Sequence, residues 1–317
     1  MKVSVVVPCY NEQDNIEPLF AVAQDAFASL PTAVDKYELI FVNDGSKDDT
    51  RARLLALHAA HPSEVAVVDF SRNFGKEAAV LAGLYRAEGD IVAIMDADLQ
   101  QHPSVVVEMV QYLCENPDTD MVAAYQDNRI EGKVLSFFKK SFYKIINRMC
   151  EIPFRKDASD FRVFRKCVRD AVLSLPECDR FSKGIFSWVG FSTHYMPYAV
   201  APRHTGSTKW SFFKLLKYAV TGIISYTTTP LRISTWLGLV ASFASVVYMV
   251  VTVVQKLFFG VDVPGYATIV ALILLLGGIQ LLMLGVMGEY LAKAYMQGKG
   301  RPVYIERQYL PTEDTDA

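Results

Sequence analysis

The run AIMDADLQQHP, residues 93–103, sets two carboxylates, Asp96 and Asp98, two positions apart where an apolar stretch ends. On an extended strand, side chains two apart share a face. A pair of carboxylates suits Mg²⁺ or Mn²⁺, which bind protein oxygens together with substrate phosphates and water. The chemistry on offer is neutralisation of a departing diphosphate. Aspartate is also common in turns at strand ends, so taken alone the pair leaves a polar turn open. Three other polar segments share its character: PCYNE (8–12), NDGSKDDT (43–50) and DFSRNFGKE (69–77). In the second, Asn43 to Gly45 reads as a turn and Ser46 with Asp49 as a capping box for the next helix, while Asp44 is placed to accept hydrogen bonds from a base or ribose. No GxGxxG follows the first apolar run and no GxxxxGK[ST] occurs in the chain. A bound nucleoside diphosphate would have to be neutralised by something other than a glycine loop.

These segments need a scaffold that brings them together. Apolar, β-branched runs at 2–8, 37–44, 65–71, 90–98 and 121–126 alternate with helix-like stretches near 14–30, 48–61, 75–88 and 104–115. Such alternation predicts an α/β domain with a mostly parallel sheet covered on both faces. Ligands of such sheets sit beyond the carboxyl ends of the strands. The four polar segments are expected there.

Later residues change solvent. WLGLVASFASVVYMVVTVVQ (236–255) and YATIVALILLLGGIQLLMLGVMG (266–288) carry no charge, and each is long enough to cross a hydrocarbon core of about 30 Å. Lys209, Lys214, Lys217 and Arg232 precede the first span, and Lys293, Lys299, Arg301 and Arg307 follow the second. The positive-inside rule then predicts a hairpin with both ends cytoplasmic. SFFKLLKYAVTGIIS (211–225) gathers its polar residues on one helical face, the pattern of an interfacial helix or of an amphipathic helix packed on the domain. VLSFFKKSFYKIINRM (134–149) mixes lysines and aromatics in a similar way. The expected organisation is a catalytic domain over 1–205, an interfacial segment over 206–233, a transmembrane hairpin over 234–290 and a cytoplasmic tail over 291–317. The net charge of −2 argues against a nucleic-acid binder. Five scattered cysteines without ligand spacing read as reduced thiols. MKVSVVVPCYNE enters a strand directly, without the pattern of a signal peptide.

In order along the chain, VVVPCYNE, VNDGSKDDT, FSRNFGKE, MDADLQ, SDFRVF and RHTGSTKWSFFKL resemble the family 2 glycosyltransferases that load polyprenyl phosphates. These include bactoprenol glucosyltransferases, dolichyl-phosphate mannosyltransferases and undecaprenyl-phosphate aminoarabinose transferases. The resemblance implies a GT-A fold, a nucleotide-sugar donor, Mg²⁺ or Mn²⁺, a polyprenyl phosphate acceptor, inversion at the anomeric carbon and a homo-oligomer in a bacterial plasma membrane, serving cell-envelope glycans. It implies donor-binding roles for Pro8, Tyr10, Glu12, Asp44, Ser71, Asn73, Lys76, Asp96 and Gln100, with Asp96 and Asp98 on the metal. Asp160, in SDFRVF, matches the acidic residue beside the reacting sugar, and Arg129, Arg203 and Lys209 match basic positions near the phosphates. The chain departs from the family at Gln101 and His102, and Lys183 stands where an arginine is common.

The implied reaction is a displacement in which a lipid phosphate oxygen attacks C1 of the sugar. A phosphate monoester is largely ionised at neutral pH, its second pKa lying near about 6. Asp160 therefore reads more naturally as an orienting carboxylate than as an obligatory base, although the base role stays open. Glucose from UDP-glucose is the expected donor; N-acetylhexosamine, aminoarabinose and mannose donors remain alternatives. A processive polysaccharide synthase would need more spans and a QxxRW segment, absent here. A non-catalytic membrane scaffold is the alternative of another class, and the carboxylates at 44, 96, 98 and 160 speak against it.

Overall fold

The computed structural model describes residues 1–126, 158–178, 180–199, 227–259 and 265–313. Its compact units are Met1–Asn147 with Ile152–Trp210 and Arg301–Ala317, and Arg148–Glu151 with Ser211–Gly300. Expectations for Arg129, Arg203, Lys209 and the stretches 134–149 and 211–225 lie outside the described residues.

The first unit is built on an eight-stranded sheet: β1 (Lys2–Cys9), β2 (Lys36–Asn43), β3 (Val65–Phe70), β4 (Ile91–Ile94), β5 (Met121–Gln126), β6 (Ala158–Arg165), β7 (Thr193–Tyr198) and β8 (Glu306–Leu310). Their spatial order is β7-β5-β6-β4-β1-β2-β3-β8. Strands β1 to β4 are mutually parallel, as are β5 and β7, whereas β6 and β8 run antiparallel to their neighbours. This is the α/β, mostly parallel sheet that the apolar runs predict, in agreement with the GT-A fold that the resemblance implies.

Alternation along each strand sends side chains into two apolar layers. Val3, Val5 and Val7 of β1, with Leu39 and Phe41 of β2, face one layer with helices α1 (Ile16–Phe27), α2 (Thr50–Ala60) and α4 (Pro103–Glu115). Val6, Ile40 and Val42 face the other, packed with α3 (Lys76–Arg86), α5 (Lys166–Leu173) and α6 (Ser182–Trp188). With both faces covered, no polar alternation is needed, which is why the runs are almost continuously apolar. Helix α3 crosses so closely that a Cβ at Gly83 would lie 2.1 Å from Val6 Cγ1.

Two boundaries differ from expectation. The fourth strand stops at Ile94, not at Asp98. Met95 still donates to the Val6 carbonyl at 3.0 Å, but the Asp96 N–H is taken by the Gln101 side chain at 2.8 Å, and Leu99 adopts φ 60°. The aspartates thus sit in a turn beyond the strand. The segment read as a tail also has structure. Residues 306–310 form β8, antiparallel to β3.

The second unit contains α7 (Thr229–Phe259) and α8 (Tyr266–Gly298), which contact each other. Segments Thr229–Gln255 and Leu272–Gly298 have mean hydropathies of 2.3 and 1.9 and are long and apolar enough to span a membrane. Their apolar side chains face outward, with Phe243 72% exposed, as suits lipid rather than water. Both helices outrun the uncharged stretches. Pro230 fits the first turn of α7, while good helix formers in EYLAKAYMQ carry α8 on until the glycines at 298 and 300, the latter at φ 59°.

Candidate active site

A cavity of about 470 Å³ opens at the carboxyl ends of β1 to β4. Pro8, Cys9, Tyr10 and Glu12 line it from the end of β1, and Asp44 from the end of β2. Asn73 and Gly75 enter from the β3–α3 connection, Lys76 and Ala79 from the first turn of α3, and Asp96, Ala97 and Asp98 from the turn after β4. The structure therefore brings together Pro8, Tyr10, Glu12, Asp44, Asn73, Lys76, Asp96 and Asp98. Ser71 and Gln100 do not line the cavity. Ser71 is exposed, with its backbone bonded to residues 305 and 307, and the Gln100 N–H donates to Asp98 Oδ1 at 3.2 Å.

The loops are laced to each other. Asn11, at φ 56°, donates its N–H to Ser46 Oγ and accepts from the Lys47 N–H through Oδ1, at 3.0 and 2.9 Å. Asparagine tolerates this left-handed conformation. The Glu12 N–H donates to Thr50 Oγ1 at 2.8 Å. Ser46 thus serves loop bridging, and the capping box with Asp49 does not form: α2 begins at Thr50, whose N–H donates to Asp48 Oδ1 at 3.1 Å. Gly45, at φ 62°, lies against Arg72 so closely that a Cβ would sit 2.3 Å from its carbonyl carbon.

Asp44 is 3% exposed, and its carboxylate is held from the third loop. The N–H groups of Phe74 and Gly75 donate to it at 2.6 and 2.9 Å, and Asn73 Nδ2 donates at 2.9 Å. Burial pushes its carboxyl up, against the pull of those N–H groups and of Arg72. Much of the accepting capacity expected to face a base or ribose is thus spent on fixing the 73–75 backbone.

Lys76 Nζ lies 2.5 Å from Asp96 Oδ1 and 3.7 Å from Asp160 Oδ2. Burial alone would lower the lysine, but the two carboxylates hold it above its ordinary range. Burial would raise Asp160, and Lys76, Lys183 and Arg162 overcome it and hold that carboxyl below the usual value. Glu12 is pushed up by burial, and then by Asp98 and Asp96, while Asn15 donates to it at 2.6 Å and opposes the rise. The cavity thus gathers four carboxylates and one ammonium. A diphosphate entering it would meet net negative charge and needs added cationic charge to be held.

Among the described residues no group of three or more His, Cys, Asp and Glu is arranged to hold a metal. The donor set nevertheless fits a divalent cation of the Mg²⁺ or Mn²⁺ kind. Such ions take one or two carboxylates and complete their shell with phosphate and water, and Asp96 and Asp98 supply those carboxylates.

Two residues outside the expected set shape this turn. Gln101, 6% exposed, accepts from the Asp96 N–H and returns Nε2 to Asp96 Oδ2 at 3.2 Å. His102 caps α4, its Nδ1 accepting from the Ser104 N–H at 3.2 Å ahead of Pro103. The capping position next to proline was the available signal for His102. For Gln101 the sequence offered only its departure from the family pattern.

Residues 4–172 match the glycosyl transferase family 2 profile, and residues 229–294 match that of the GtrB C-terminal hairpin. An uncharacterized glycosyltransferase of Synechocystis sp., sll0501, is 41% identical over 318 residues, spanning 99% of this chain and 98% of that protein. The bactoprenol glucosyl transferase of Shigella phage SfV is 38% identical over 308 residues, spanning 96% and 98%. A crystal structure of glucosyl-3-phosphoglycerate synthase from Mycobacterium tuberculosis, with Mn²⁺, UDP-glucose and phosphoglyceric acid, overlaps 70% of this chain and 77% of that one, at 21% identity and a TM-score of 0.49.

Proposed function

The chain belongs to glycosyl transferase family 2 and is a glycosyltransferase, and from that premise we propose that it moves glucose from UDP-glucose onto a membrane polyprenyl phosphate, with inversion at C1. The observation that carries the reading is an acidic cavity at the carboxyl ends of β1 to β4, in a chain that continues into two lipid-compatible helices. The 38% identity to a protein named bactoprenol glucosyl transferase supports both the sugar and the acceptor.

In this reading the nucleoside diphosphate lies over the strand ends, with Tyr10, 42% exposed, offering a ring to the base. Asp96 and Asp98 would hold a divalent cation, which would supply positive charge to the departing diphosphate. Lys76 is within reach of the same region and adds a second, fixed cation. A phosphate oxygen of the acceptor, already ionised, attacks C1 from the face opposite the leaving group. Asp160, depressed below the usual carboxylate range, is a poor proton acceptor. Its role is to stabilise positive charge developing on the sugar ring and to orient Lys76. Arg129, Arg203 and Lys209 are assigned to the acceptor phosphate on the resemblance alone.

Helices α7 and α8 are proposed to cross the membrane as a hairpin, with the catalytic unit cytoplasmic, because lysines and arginines flank both outer ends. The test is transfer of radiolabelled sugar into lipid extract by the full-length protein in membranes supplied with undecaprenyl phosphate. UDP-glucose, UDP-N-acetylglucosamine, UDP-aminoarabinose and GDP-mannose are compared with and without EDTA. Chelator-sensitive labelling from UDP-glucose is expected. Labelling from another donor only would reassign the sugar, and undiminished transfer in EDTA would remove the metal.

A further inference from the structure

The residues that fix Asp44 belong to a loop whose outer side is held by the far end of the chain. The Ser71 N–H donates to the Ile305 carbonyl at 3.0 Å, and Arg307 Nη2 donates to the Ser71 carbonyl at 3.2 Å, so both backbone groups of Ser71 are engaged by the C-terminal segment. One residue back, the Phe70 ring stacks on Tyr304 with centroids 4.9 Å apart and an interplanar angle of 15°. Phe70 also meets Phe74 edge to face, with centroids 5.7 Å apart. Phe74 in turn donates its N–H to Asp44 Oδ1. A contiguous path of packed groups therefore runs from Tyr304 through Phe70 and Phe74 to a carboxylate that lines the cavity.

Charge fastens the same segment. Glu306 pairs with Arg86 at the end of α3, and the Arg86 guanidinium lies over the Tyr309 ring at 4.1 Å. Arg307 Nη1 approaches the buried Asp69 carboxylate at 3.8 Å, where Arg51 and Asn43 already bind at 2.8 and 2.7 Å. The β3–β8 register shifts between Asp69 and Phe70. Such irregularities re-aim a strand end, and this one lies where the pocket loop departs.

We infer that residues 304–307 position the donor pocket: Tyr304 and Arg307, although outside the cavity, hold the 71–75 loop in the conformation that fixes Asp44. Neither is a catalytic residue. The inference rests on the donor reading above for its consequence in affinity, but its consequence for the loop stands apart from that reading. Since the segment lies beyond the end of α8 at Gly298, the inference also makes the chain after the apolar helices a requirement of the site.

The experiment uses the full-length protein in nanodiscs, as wild type, Tyr304→Ala, Tyr304→Phe and Arg307→Ala. Amide hydrogen exchange is read at Phe74 and Gly75, and binding of uridine diphosphate with Mn²⁺ is titrated in parallel. Tyr304→Ala should speed exchange at those two amides and weaken binding roughly three- to tenfold, the scale of one aromatic pair. Tyr304→Phe, which keeps the ring, should restore both. Arg307→Ala should act in the same direction and carries the test if Tyr304→Ala does not fold. Unchanged exchange and affinity in both alanine variants would overturn the inference. So would faster exchange spread equally over α1 and β1, or failure of both variants to fold, since either means general stability alone. If the wild type binds no uridine diphosphate, the donor reading falls, and the exchange data alone decide the loop.

Discussion

The same sheet carries carboxylates at both of its ends, and they differ in what surrounds them. Near the amino end of β1 and β2, Glu38 is 3% exposed and fully engaged: Ser4 Oγ donates at 2.5 Å, Lys2 Nζ lies at 2.8 Å and Thr312 Oγ1 donates at 3.1 Å. Ser4 Oγ in turn accepts from the Gly89 N–H at 2.8 Å. At the carboxyl end Glu12, Asp44, Asp96 and Asp98 crowd around open space, with Lys76 the ammonium among the cavity-lining residues. The first set is a closed account of donors and acceptors, as buried polar groups in a scaffold require. The second keeps like charges together in a way that folding alone does not reward, and they are matched only in part within the protein, by Lys76 at Asp96, by the donors on Asp44 and by Asn15 at Glu12.

That contrast breaks first at the aspartates. Asp96→Ala and Asp98→Ala should each lower kcat for transfer at least about a hundredfold, the scale seen when one preorganised charge partner of a transition state is removed. Thermal unfolding should shift little, because neither side chain is part of the packed layers. Retention of full turnover by both would return the DAD turn to a structural role. The opposite pattern is expected at the other end. Glu38→Ala should cost about 1–3 kcal/mol of stability, the range for removing one partner from buried hydrogen bonds, measured by denaturant unfolding in detergent. Donor and acceptor KM of the folded fraction should not move.

The two ends were not equally legible. The strands β1 to β4 show in the sequence because a sheet covered on both faces demands continuous apolar runs, and the carboxyl-end rule then places the four polar segments together. The resemblance added Asp160, which lies 64 residues beyond Asp96 in sequence and arrives beside Lys76 through antiparallel β6. What hid was set by side chains bonding to backbone. Gln101 ends β4 early, which no propensity announces. Likewise β8, in ERQYL, is a short edge strand with intermediate and exposed positions, so it lacks the apolar signature of its neighbours, and its partner is some 240 residues away in sequence. Glu38, inside an apolar run, gave no hint of its network with Lys2 and Ser4.

A further variant separates turn chemistry from pocket chemistry within one loop. His102 stands four residues after Asp98, which accepts from the Gln100 N–H, yet its own ring nitrogen bonds to Ser104 in the first turn of α4. His102→Ala should cost about 1 kcal/mol, the usual loss of a helix N-cap, with kcat and donor KM within twofold of wild type. His102→Asn, which keeps a capping acceptor, should recover most of the stability. A large fall in kcat with stability intact would mean that the imidazole reaches the reaction after all.

The smallest effect sharpens the comparison most, because its sign is opposite to that at Glu38. Burial and the neighbouring Asp98 and Asp96 raise the Glu12 carboxyl above its ordinary value of 4.5. A carboxyl whose folded-state value is raised binds protons more readily folded than unfolded, so its ionisation costs stability above that folded value. The cost disappears below the unfolded value, where both states are protonated. Glu12→Gln should therefore raise Tm at pH 7, and the gain should vanish as the pH falls through 4.5, while the donor site is weakened. Glu38→Ala is expected instead to lose stability, because its carboxylate is matched by fixed partners. A Glu12→Gln protein less stable than wild type at pH 7 would mean that its bond from Asn15 outweighs the crowding, and that the pocket carboxylates are as structurally settled as those at the other end of the sheet.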